Sequence, residues 1–147
     1  LVEARFEATF IAPDSSHAAI QNALGANASK VSVIGLTPKL TDFYEGVDVV
    51  ISAAGTSAWD VCSLGVPALL LSVVDNQEFS LNQIAEHGLT LTNNLAGAGD
   101  EKAYELAAQI ANLLTDQKLR IEFSSQALKY FDGLGRDRVE EFLIAAK

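Results

Sequence analysis

Residues 51–71, ISAAGTSAWDVCSLGVPALLL, decide how the chain is read. A run of β-branched and small apolar residues meets Gly55, then the hydroxyls of Thr56 and Ser57, then a short helical pattern carrying Asp60. Gly65 stands where a glycine ends a helix, and a second apolar run starts at Val66. The segment thus predicts a strand over residues 47–53, a helix over 56–64 and a strand over 66–74. Strands without polar alternation are the kind buried on both faces of a parallel sheet covered by helices.

The same alternation extends outward. Upstream, residues 8–12 read as a strand, 16–24 as a helix and 31–34 as a strand, with Gly35 and Pro38 marking a turn before residues 40–44. Downstream, residues 80–87 read as a helix closed by Gly88, and 89–92 as a last short strand. Short links between alternating elements predict an open α/β fold, Rossmann-like, with right-handed crossovers and helices on both faces. Past Asn94 the pattern changes. A flexible joint at residues 95–99 precedes three helical segments, the first with Asp100 as its cap and the last spanning residues 136–147.

The chain has 147 residues, 49% of them hydrophobic, enough for one domain with a sizeable core. It starts at Leu1 and contains no methionine, which reads as a fragment or processed chain. No apolar run has the length of a membrane span, and no secretory signal opens the chain. A formal charge of −9 is not the footprint of a protein that binds nucleic acid or an anionic membrane. The single Cys62 excludes an intrachain disulfide, and a reducing, cytoplasmic setting is expected. No His/Asp/Glu cluster has metal spacing, so neither a metal site nor a cofactor is expected.

Two readings of Gly55-Thr56-Ser57 compete. Ligands of open parallel sheets bind beyond the carboxyl ends of strands, where helix N-termini converge and backbone amides suit a phosphate. Against this, Ser57 to Asp60 has capping-box spacing, in which the serine caps the helix and the acid reaches back. A second strand end shifts the balance. ALLLSVV runs into Asp75-Asn76-Gln77, and Asn and Gln each offer a donor and an acceptor to sugar hydroxyls. Ser80 to Gln83 again has cap-like spacing, so a solvated turn is the competing reading there.

The run DVVISAAGTSAWDVCSLGVPALLLSVVDNQ, followed by LNQIAEHG, resembles the carboxyl-terminal half of the hydrolases that release UDP from a UDP-linked diacetamido sugar in pseudaminic acid synthesis. It is equally similar to the spore-coat polysaccharide biosynthesis proteins of that group. More distantly it resembles the peptidoglycan glycosyltransferase that adds N-acetylglucosamine to a lipid-linked acceptor. These share the two-domain GT-B architecture, whose carboxyl-terminal domain holds the UDP part of the donor. The resemblance implies Gly55, Thr56 and Ser57 at the diphosphate, Asp60 at the ribose hydroxyls, and Asn76 and Gln77 facing the sugar or its phosphate. The backbone of Leu36 and Thr37 would lie at the uracil. The family carries glutamate where this chain has Asp60, and the shorter side chain implies a water-bridged contact. The family's first strand, its Gly-rich loop and its amino-terminal domain, with the histidine base, would precede Leu1. Neither His17 nor His87 matches that histidine.

The expectation is therefore a UDP-sugar-binding domain, 1–147, of a nucleotide-sugar hydrolase, inactive without its amino-terminal partner domain. The alternative enzyme is a glycosyltransferase. The alternative of another class is a non-catalytic protein-interaction module, in which Thr56, Ser57 and Asp60 are only caps. Cys62 reads as a small buried hydrophobe, Trp59 as core packing, Asp48 as a turn cap, and Glu140-Glu141 as a solvated helix face. The terminal helix is expected to pack across to the absent domain. Phe142 and Leu143 would then be exposed here and self-association would follow.

Overall fold

A computed structural model describes residues 6–95 and 99–146. The chain divides into two compact units, residues 1–42 and 43–147.

In the first unit, β1 (Ala8–Ile11) leads through α1 (Asp14–Leu24) and a 3-10 stretch (Gly25–Lys30) into β2 (Val31–Ile34). The strands pair in parallel, from Ala8 opposite Val31 to Ile11 opposite Ile34. Helix α1 starts earlier than the periodicity indicates, because Pro13 supplies an extended residue just before it.

The second unit carries a three-stranded parallel sheet in the order β3 (Val50–Ala53), β4 (Ala68–Ser72), β5 (Leu91–Asn94). Between them lie α2 (Thr56–Ser63) and α3 (Glu78–Glu86). Three helices follow: α4 (Asp100–Thr115), α5 (Gln117–Tyr130) and α6 (Gly135–Ala145). Gly99 precedes the first residue of α4, so Asp100 lies within the helix, not at its cap. Of the expected joint, residues 96–98 lie outside the described residues, as does Lys147.

Strands β1, β3 and β4 are shorter than their apolar runs, because parallel pairing ends where the chain turns toward each helix. Strand β2 matches its run, and β5 lies two residues beyond the expected 89–92 because Leu89 still closes α3. Central β4 is buried on both faces, as its unbroken Ala-Leu-Leu-Leu predicts. At the ladder's edge, β3 leaves Ile51 and Ala53 exposed. On one face, Ala68 and Leu70 pack with Ala58, Val61 and Cys62 of α2, Leu81 and Ile84 of α3, and Ala127 of α5. Leu69 points the other way, toward α4, where Leu113 is fully buried. Helices thus cover both faces of the sheet.

Glycines stop α2 and α3 by one device. Gly65 (φ +66°) and Gly88 (φ +60°) take the left-handed conformation. In α2 the Gly65 and Val66 amides donate to Cys62 and Val61. In α3 the Gly88 and Leu89 amides donate to Ala85 and Ile84. Both are Schellman closures. Buried Thr90 then extends the sheet with a side chain: its Oγ1 accepts from the Ala68 amide at 2.9 Å and donates to the Ala68 carbonyl.

At the far end of β5, two asparagines hold helices on opposite faces. Asn93 Nδ2 donates to Glu105 Oε1 (2.8 Å) and Gln109 Oε1 (2.9 Å) of α4. Asn94 Nδ2 donates to Glu78 Oε1 of α3 at 2.7 Å. The Lys102 ammonium, and then the Asn93 amide, hold the Glu105 carboxyl below the usual range.

Helix α6 follows a turn at Asp132, whose carboxylate takes both Arg138 guanidinium nitrogens and the Leu134 amide. Its apolar residues are bare: Val139, Phe142, Leu143 and Ile144 are 60 to 74% exposed. The expected exposure of Phe142 and Leu143 is present.

Candidate functional site

The carboxyl ends of β3 and β4 are where the sequence places the site. Leaving β3, the Ala54 amide still donates to Leu71 (2.8 Å), and Gly55 then turns the chain into α2. Gly55 occupies the cap position in extended geometry, and no side chain caps the helix. The capping box expected from Ser57 and Asp60 is therefore not formed. The helix begins one residue before Ser57, which puts that serine in the first turn. Its Oγ lies 3.4 Å from Ser52 Oγ, a marginal hydrogen bond between two hydroxyls. Ala58 donates back to Gly55 at 3.1 Å, while Thr56 stands exposed at the helix tip.

The loop after β4 comes to the same place. Asp75, Asn76 and Gln77 form one 3-10 turn, which runs directly into α3 at Glu78. Ser80 and Gln83 accordingly lie inside the helix, and their cap-like spacing caps nothing. Gln77 Oε1 accepts from the Val73 amide at 2.9 Å, which fixes the orientation of its carboxamide. The NH2 group then faces the α2 turn: a Cβ built on Gly55 would lie 3.9 Å from Gln77 Nε2. Gly55 and Gln77 are thus brought together. Asn76 is exposed beside them.

Asp60 lies on the exposed side of α2, a turn past Ser57. Tyr44, partly buried against the core, is its electrostatic neighbour. Burial and then the Asp60 carboxylate raise the Tyr44 phenol above its ordinary value. Nothing in the sequence singles out Tyr44, because no periodic pattern relates a residue before β3 to one on α2.

Leu36 and Thr37 belong to the first unit, just after β2. Leu36 is 71% exposed, and Thr37 Oγ1 accepts from the Lys39 amide at 3.2 Å. In that unit His17 is a clamp. Its Nε2 lies 3.0 Å from the Ala12 carbonyl and 3.2 Å from that of Ile34, so this nitrogen carries the hydrogen and joins two strand ends.

The remaining singled-out residues are structural or solvated. Cys62 is 1% exposed, and burial pushes its thiol up to about 11. Trp59, expected in the core, is 36% exposed and meets Phe131 edge-on at 6.2 Å, and His87 lies on Tyr130 with ring centres 4.5 Å apart. Asp48 caps no turn. It lines a groove of about 310 Å³ with Pro67, Arg120 and Ile121, at the opposite ends of β3 and β4 from Gly55. Glu140 and Glu141 are exposed. Among the described residues, no group of acids, histidines and cysteine is arranged to hold a metal ion, and no helix is long and apolar enough to cross a membrane.

No family model and no curated protein matches the chain. Solved structures do. Acinetobacter baumannii MurG is similar over 87% of this chain and 38% of its own, with a TM-score of 0.68 and 16% identity. WaaG, a glycosyltransferase involved in lipopolysaccharide biosynthesis, is similar over 86% of this chain and 33% of its own (TM-score 0.63, 19% identity). Spinosyn forosaminyltransferase SpnP is similar over 98% and 46% (TM-score 0.54, 17% identity). The shared property is the fold. The chain has the Rossmann-like architecture of one half of a GT-B protein, and spans less than half the length of each of these structures.

Proposed function

We propose that this chain is the donor-binding half of a GT-B glycosyltransferase that uses a UDP-sugar. In this reading Gly55, Thr56 and Ser57 hold the diphosphate, Asp60 takes the ribose hydroxyls through water, and Asn76 and Gln77 meet the sugar or its phosphate. The observation that supports it is the tip of α2, where glycine replaces a capping side chain and the Gln77 NH2 group approaches from the neighbouring loop. A terminus left without a capping side chain is what a ligand's own oxygens require.

With a net charge of −9, local donors must hold an anion against the global field. Backbone amides, the helix dipole and the two hydroxyls do this without lysine. As the sugar–phosphate bond breaks, negative charge grows on the departing UDP. Donors fixed in advance stabilise that charge without reorganising. The acceptor, and the base that deprotonates it, come from the other half of the fold. WaaG and SpnP are named as transferases, and the likeness supports transfer to an acceptor over hydrolysis by water. A nucleotide-sugar donor also fits the cytoplasmic setting expected from the lone Cys62.

Titration with UDP, followed by heat and by amide shifts, tests the proposal. Saturable binding is expected, with shifts at Gly55, Thr56, Ser57 and Gln77. The Ser57→Ala/Asp60→Ala double variant should lose binding while keeping its melting temperature. If neither this chain nor one extended upstream binds UDP, the nucleotide reading fails and the protein-interaction module takes its place.

A further inference from the structure

The 3-10 turn at Asp75, Asn76 and Gln77 is short, exposed at Asp75 and Asn76, and held at both ends. At its start, Ser72 pairs with Asn94 across the ladder, the Leu95 amide donates to Ser72 at 2.8 Å, and Ser72 Oγ donates to Val74 at 3.1 Å. Within it, the Gln77 carboxamide folds back on Val73. At its end, the next residue, Glu78, accepts from the Asn94 amide at 2.7 Å. This last bond links the end of the turn to β5 through two side chains.

We infer that Asn94 is a positioning residue of the candidate site, acting through Glu78 to hold Asn76 and Gln77 where their amides meet the ligand. The inference rests on the UDP-sugar reading above. Asn94 itself touches no ligand. Strand alternation sends it toward α3 while Asn93 goes to α4, so the last two residues of β5 separate the fixing of the turn from the docking of the long helix.

Two variants of the whole chain test this. Asn94→Ala removes the donor without changing charge. It should speed amide exchange at residues 74–77 and weaken UDP binding about fivefold, the factor one ordinary hydrogen bond carries. Asn94→Asp/Glu78→Gln reverses the pair at constant net charge, since the new Gln amide can donate to the new carboxylate. It should restore both readouts to within about twofold of the parent. A melting temperature that falls in Asn94→Ala while UDP affinity holds would show a structural role only and overturn the inference. So would unchanged exchange at residues 74–77, whatever UDP does. If the parent chain binds no UDP, the donor-binding reading fails and takes this positioning role with it, even where the exchange rates move.

Discussion

Replacing Gly65 by alanine is a two-part perturbation whose parts can be separated. The first is conformational: at φ +66° a Cβ meets the backbone strain that glycine avoids, about 1 kcal/mol. The second is steric. A Cβ there would lie 2.6 Å from Leu128 Cγ and 3.0 Å from both of its methyls, so α5 must shift or Leu128 must rotate. Overpacking of that kind costs about 1–3 kcal/mol, so the total is about 2–4 kcal/mol. For a chain of this size that lowers the melting temperature by roughly 5–15 °C. Gly88 supplies the control, with a similar φ of +60° and nothing within 4 Å of its Cβ position. Gly88→Ala should cost only the conformational part, about 1 kcal/mol. In a Leu128→Ala background, Gly65→Ala should likewise fall to about 1 kcal/mol, a coupling that a double-mutant cycle reads directly. Urea denaturation of the four variants and the parent is the assay. Equal losses for Gly65→Ala and Gly88→Ala, or no relief from Leu128→Ala, would refute the docking of α5 over the α2 turn.

Two further outcomes follow from charge and burial. Hydrogen bonds from Arg138 and the Leu134 amide hold the Asp132 carboxyl at about 2, below its ordinary 3.8. A depressed value means the clip contributes above about pH 4 and is lost as pH falls toward 2, so protection of the first-turn amides of α6 should fade in that window. A carbon-detected titration of Asp132 with its midpoint near the ordinary value would contradict it. Cys62 should resist thiol reagents at about pH 8 in the folded protein and react fully once unfolded, because the thiolate is the reactive species. Rapid modification without denaturant would show that α2 opens.

Much of the fold was legible because local chemistry dictates it. Central β4 announced itself by an unbroken apolar run, and Gly65 and Gly88 marked helix ends where only the left-handed conformation closes the carbonyls. The errors were also local. Ser57 and Ser80 have cap spacing, but spacing does not say which residue leaves the helical conformation, and the chain turned at Gly55 and at Asp75. The candidate site was legible as two polar strand ends. Its internal geometry was not. That Gln77 spends its oxygen on Val73 and directs its nitrogen toward Gly55, that Tyr44 neighbours Asp60, and that Asn94 reaches Glu78 are products of register between strands. Hydrophobic periodicity carries no register of that kind.

The bare face of α6 separates folding from assembly. Side chains that remain in water on both sides of the unfolding equilibrium contribute little to it, so Phe142 and Leu143 are nearly silent in the thermodynamics of this chain. Polar replacements there would pass any melting assay unnoticed and would register only where the helix meets something else. Sequence constraint on that face therefore measures association, free of the usual confusion with core packing.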